Sequence, residues 1–84
     1  MNEEQQIIKD ALEYVKAAQG TGVDKTKLLS AVSNLDGTPL SPEQKDYIFG
    51  ILEARGWITY YRDSLWHAKR WTLTERGMLA LEAM

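Results

Sequence analysis

At Gly56 the sequence changes its period, and this change most limits what the chain can become. Upstream, Ser41-Pro42-Glu43-Gln44 opens a helix. Ser41 is a good N-cap, Gln44 three residues on completes a capping box, and Pro42 stands where its missing N–H costs nothing. Gly56 offers the left-handed residue on which a helix stops, with Trp57 placed to fold back toward Leu52. Downstream, Trp57-Ile58-Thr59-Tyr60-Tyr61 is aromatic and β-branched, which is strand composition. Arg62-Asp63-Ser64 has turn composition. From Leu65 to Leu73 alternation resumes, with Trp71 and Leu73 on one face and Arg70 and Thr72 on the other. The unit is a helix followed by a β-hairpin.

The rest of the chain adds helices around that unit. Asn2 caps a helix over about residues 2–18, with Gln5 answering it and Ile8, Ala11, Leu12, Val15 and Ala18 at helical spacing. Ile7 and Tyr14 flank this stripe. Gly20-Thr21-Gly22 looks like part of a phosphate loop. It follows a helix rather than a strand and lacks a third glycine, so it reads as a stop and a turn. Asp24 caps a second helix over about 24–35, with Val23 and Leu28 in staple positions and Leu28, Leu29, Val32 and Leu35 as its buried stripe; Lys25 and Lys27 face solvent. Asp36-Gly37-Thr38-Pro39 is a turn cluster. Helix 42–55 and a hairpin of about 57–61 and 65–73 follow. Thr74 then caps a last helix over about 75–83, with Met78, Leu79, Ala80 and Leu81 as a wide apolar face. Gly77, a poor helix former in its first turn, marks a close approach to a neighbouring element. The expected class is mainly α with a small β-hairpin (α+β), in the order α-α-α-β-β-α. Residues 1–84 read as one domain.

Composition excludes several functions. With 84 residues, 44% of them hydrophobic, the chain can bury only a thin core. It has no cysteine, which rules out disulfides and thiolate metal sites and fits a reducing cytoplasm. No apolar run approaches the roughly 20 residues needed to cross a bilayer. His67 is the only histidine, with no cysteine to activate and no second histidine to share a metal, so neither an enzyme nor a cofactor is expected. Charge is uneven. Residues 57–73 carry Arg62, Lys69 and Arg70 against Asp63, a net of +2, while the whole chain is −2, so the remaining residues sum to −4. The hairpin is the basic zone.

Two segments carry a family resemblance: Leu52-Glu53-Ala54-Arg55-Gly56-Trp57-Ile58 and Trp71-Thr72-Leu73-Thr74-Glu75-Arg76-Gly77. They resemble the winged helix-turn-helix domain, and are similar to the MarR-like and PadR-like transcriptional regulators of bacteria and archaea. The likeness runs from about Asp24 to Leu81. It implies that 24–35 and 42–55 form the helix-turn-helix, that 42–55 is the recognition helix, and that 62–70 is the wing. It also implies duplex DNA as partner, with the first and last helices either forming a homodimer or packing on the core. The DNA contacts it implies are Gln44, Lys45 and Tyr47 on the helix and Arg62, Lys69 and Arg70 on the wing. The turn from Asp36 to Leu40 is longer than a tight helix-turn-helix connection of about three to four residues.

The recognition helix leaves two registers open. Tyr47, Ile48, Phe49, Ile51 and Leu52 span about 200° at ~100° per residue, wider than the ~100° a core-facing helix needs. The family pattern buries Ile48, Phe49 and Leu52 and turns Gln44, Tyr47 and Ile51 outward. Centring the stripe by composition buries Tyr47, Ile48, Ile51 and Leu52 and turns Phe49 outward. In both registers Asp46 and Glu53 lie on the outer face, where they repel phosphate. This motivates a rival function, a protein-interaction module with Tyr47, Phe49, Ile51 and Trp66 as its patch. Trp57 and Trp71 are expected in the core, and Trp66 and Tyr61 are expected to pair across the strands.

Overall fold

A computed structural model of the chain describes residues 2–65 and 68–84. The elements are α1 (Glu3–Ala17), α2 (Lys25–Ala31), α3 (Pro42–Ala54), β1 (Ile58–Arg62), β2 (Lys69–Leu73) and α4 (Glu75–Ala83). The α+β class and the α-α-α-β-β-α order are those expected. Side-chain caps set each helix start. Asn2 and Gln5 exchange the two bonds of a capping box before α1, and Ser41 and Gln44 do so before α3. Asp24 accepts from the N–H groups of Thr26 and Lys27, and Thr74 from that of Gly77.

Helix α2 is shorter than its apolar spacing suggests. It ends at Ala31, and Val32 is extended (φ −106°, ψ 149°) yet buried. Turn chemistry beats helical propensity here. Asn34 N–H donates to the Thr38 carbonyl, Gly37 N–H to the Asn34 carbonyl, and Ser33 bridges to Pro39. Leu35 is thereby left at a turn, 64% exposed, rather than in the buried stripe. Leu40, at the far side of the turn, is buried instead.

Helix α3 adopts the register of the family pattern. Ile48, Phe49 and Leu52 are buried, Ile51 is half-buried and Tyr47 is 57% exposed. The alternative register fails because Phe49, 3% exposed, packs its ring edge-on to Trp71 with centroids 4.7 Å apart. The helix stops as expected: Gly56 has φ +70°, its N–H donates to the Glu53 carbonyl, and Trp57 N–H donates to the Leu52 carbonyl.

The hairpin is antiparallel, pairing Ile58 with Leu73, Tyr60 with Trp71, Tyr61 with Arg70 and Arg62 with Lys69. Its strands start later than expected. Trp57 is only half-buried, with the Arg55 guanidinium 5.7 Å from its ring centre, and Leu65 is exposed outside both strands. The expected pairing of Tyr61 with Trp66 involves a residue outside those described; opposite Tyr61 stands Arg70. A feature no sequence period announces is a one-residue third strand. Val23 exchanges both backbone hydrogen bonds with Trp71, at 2.9 and 2.8 Å.

The buried core draws on α1, α2, α3 and the hairpin, and Met78 and Leu81 of α4, with Met84 after it, pack against it half-buried. Leu79, expected on the apolar face of α4, is exposed. The α4 backbone comes so close to the hairpin that a Cβ on Gly77 would run into the Trp57 carbonyl oxygen and lie 2.7 Å from Leu73 Cδ1.

Candidate nucleic-acid interface

Helix α3 presents Glu43, Asp46, Tyr47, Gly50, Glu53 and Ala54 to solvent. At ~100° per residue Gly50 falls near the middle of this face, between Asp46 and Glu53 on one side and Tyr47 on the other. A Cβ at Gly50 would meet no atom within 4 Å. The centre of the outward face is therefore bare backbone, and nothing in the fold requires it to be.

Of the sequence-predicted contacts on α3, Gln44 is already committed. Its side-chain oxygen accepts from Ser41 N–H at 2.9 Å, and its amide group donates to Asn34 Oδ1 at 2.9 Å. It ties α3 to the preceding turn instead of facing outward freely. Tyr47 is outward but leans toward α1, its hydroxyl 3.4 Å from both Glu4 carboxylate oxygens. Below it lies a cleft of about 210 Å³ floored by Ile7 and Ile48. Lys45 is half-buried and borders a groove with Lys25, Leu29, Pro42 and Asp46.

The hairpin separates the three wing cations. Residues directly opposite in an antiparallel pair share a face and successive residues alternate. Arg62 and Lys69 thus share the side of Tyr60 and Trp71, while Arg70 shares the other side with Tyr61. On that second side the turn after α1 packs against the wing. The Tyr61 hydroxyl donates to the Thr21 carbonyl at 2.9 Å, and a Cβ on Gly22 would come within 2.8 Å of Arg70 Cβ. Gly22, with φ +73°, lets this turn lie beneath the hairpin, so the Gly20-Thr21-Gly22 sequence serves packing.

On the first side the structure assembles what the sequence does not show. Three rings stand in a row: Phe49 against Trp71, and Trp71 against Tyr60 with centroids 5.2 Å apart. The row ends in two ammonium groups, Lys25 Nζ 4.5 Å from the Phe49 ring centre and Lys69 Nζ 4.4 Å from that of Tyr60. Both lysines line a crevice of about 350 Å³ with Asp24, Thr26, Glu53 and Trp71. Lys25 is the functional candidate missed by sequence reading, which left it on a solvated face. Its only sequence signal is its position directly after the Asp24 cap, and the packing of α2 beside α3 gives that position meaning.

Ionisation is shifted at Asp36, in the turn between α2 and α3. The Thr38 hydroxyl at 2.6 Å, and after it the Thr38 N–H at 3.0 Å, hold this carboxyl below its ordinary value. Among the described residues no three His, Cys, Asp or Glu side chains gather as a metal centre requires, and no helix is long and apolar enough to cross a membrane.

No protein-family model and no curated protein matches the chain. Solved structures do. The S. aureus MepR–DNA complex superposes with a TM-score of 0.68 at 24% identity, over 90% of this chain and 50% of that one. A MepR variant from a multidrug resistant S. aureus clinical isolate superposes with a TM-score of 0.71 at 24% identity, over 99% of this chain and 54% of that one. The chain spans about half the length of these proteins. Its helices and hairpin form a winged helix, the fold these structures share.

Proposed function

We propose that this chain binds duplex DNA in transcription control, with α3 in the major groove and the wing on the backbone or in the minor groove. One observation carries the reading: the outward side of α3, at Glu53, and the Lys69 end of the wing border the same crevice. A duplex laid against one meets the other. The MepR structure of this fold is a complex with DNA, which supports it. Lys45 and Tyr47 on α3 and Arg62 and Lys69 on the wing are the direct contacts. Arg70 reaches the backbone from the far side of the hairpin, and Gln44 acts by holding α3 to its turn. A few phosphate contacts give a log–log salt slope of only roughly −3 per copy. Useful affinity then calls for two copies joined through α1 and α4 on two half-sites. The site of action is the cytoplasm.

The test is an amide chemical-shift titration with a mixed-sequence duplex, at low and then physiological salt. Shifts confined to residues 42–51 and 62–70 that fade with salt are expected. No shift at low salt overturns the reading. Replacing Arg62, Lys69 and Arg70 together by Ala is expected to abolish binding.

The rival reading, a protein-interaction module, draws on the exposed carboxylates Glu43, Asp46 and Glu53. Of its apolar patch, Phe49 is buried, Ile51 half-buried and Tyr47 exposed, and Trp66 lies outside the described residues.

A further inference from the structure

We propose that Lys25 of α2 and Lys69 of the wing together seat a DNA backbone phosphate at the crevice between α3 and the wing, as part of the DNA-binding reading above and dependent on it. Sequence reading assigns Lys25 no role and places Lys69 on a separate element.

The argument begins with the rings. An ammonium over an aromatic face is attracted by the ring quadrupole and keeps N–H groups pointing away from it. Lys25 and Lys69 are each held this way, at 4.5 and 4.4 Å, on the two ends of one continuous aromatic row. Two exposed, flexible side chains are thereby given preferred positions on the walls of one crevice. The Asp24 carboxylate beside them accepts from the Thr26 and Lys27 N–H groups. Glu53 on the α3 wall is a second carboxylate, so two ammonium and two carboxylate groups line the crevice. Phe49 and Trp71 are buried beneath, so what the crevice offers a compact anion is its pair of ammonium groups. The crevice also runs between the helix that would enter the groove and the wing beside it, where the backbone of an engaged strand would pass. Beyond Lys25 the next groove carries Lys45 beside Asp46.

The experiment measures affinity for a mixed-sequence duplex across a salt series by fluorescence anisotropy. It uses the native chain, Lys25→Gln, Lys27→Gln, Lys25→Arg and Glu53→Gln, each checked for folding by circular dichroism. Each phosphate contact contributes about 0.9 to the salt slope. Lys25→Gln is expected to make the slope shallower by about one and to weaken binding several-fold near physiological salt. Lys27 lies on the same helix but borders the crevice of Tyr61 and Arg70. Lys27→Gln removes the same charge and is expected to leave the slope unchanged. Lys25→Arg is expected to keep the native slope, which separates lost charge from a disturbed fold. Glu53→Gln is expected to tighten binding. Equal effects of Lys25→Gln and Lys27→Gln, or an unchanged slope in Lys25→Gln while the native chain binds, overturn the phosphate seat alone. A native chain that binds no duplex even at low salt overturns the DNA reading and the seat with it.

Discussion

Helices α3 and α4 each hold one glycine, and the two glycines are present for opposite reasons. Gly77 of α4 is buried where the helix backbone meets the Trp57 carbonyl, so no side chain fits. Gly50 of α3 is exposed, with open space where a Cβ would stand. A mid-helix glycine is less favourable than alanine by about 1 kcal/mol. In α4 the close packing it permits offsets that penalty; in α3 no contact among the described residues does. One helix is shaped by its own fold. The other is bare at the centre of its outward face, where a groove or a partner would approach.

The comparison can be broken from either side. The largest effect expected is from Gly77→Ala, which forces α4 away from the hairpin and should lower stability by about 3 kcal/mol in urea unfolding. A change under about 0.5 kcal/mol, the range of neutral surface substitutions, would show that α4 is not held close. Thr74→Ala comes next, at about 2 kcal/mol. The Thr74 hydroxyl accepts from Gly77 N–H and also donates to the Gly56 carbonyl, joining the end of α3 to the start of α4. Ser41→Ala at the start of α3 removes a cap alone and should cost about 1 kcal/mol. Equal costs in the two variants would deny the extra tie at α4. Gly50→Ala carries the opposite sign. It should raise stability by about 1 kcal/mol while weakening duplex binding in the anisotropy assay. A gain in stability with binding intact would remove close approach as the reason for Gly50.

The smallest effect concerns the turn that delivers α3. Asp36 is held below its ordinary pKa of 3.8 by the Thr38 hydroxyl and N–H. A depressed carboxylate stabilises the fold above its unfolded pKa, and that contribution is lost as pH falls through the lower folded value. A side-chain NMR titration should place the Asp36 midpoint below 3.8, and Thr38→Val should move it back up. A midpoint at or above the ordinary value would break this account.

Local chemistry made much of this molecule legible. Asn2, Asp24, Ser41 and Thr74 start helices because a side-chain oxygen satisfies backbone N–H groups within three residues, a relation needing no distant partner. Gly56 stops α3 for the same kind of reason, and the change of period after it announces the hairpin. What stayed hidden depends on neighbours remote in sequence. Leu35 has helical spacing, yet the turn through Asn34 and Thr38 draws it out of the helix. Val23 pairs with Trp71 across nearly fifty residues by one bridge, too short for any periodicity.

The candidate site divides in the same way. That α3 is a helix with more apolar residues than one face can bury is a property of 42–55 alone. Which of them turn inward was decided by Trp71, because a T-shaped contact with Phe49 exists only once β2 lies against α3. The sequence located a basic hairpin, but strand pairing parted Arg70 from Arg62 and Lys69. Lys25 joined Lys69 only through the rings between them. Caps, stops and alternation act through bonds between near neighbours, so the sequence by itself determined the elements and their order. Register, burial and the convergence of charges are energies of contact between distant segments, and only the tertiary structure could decide them.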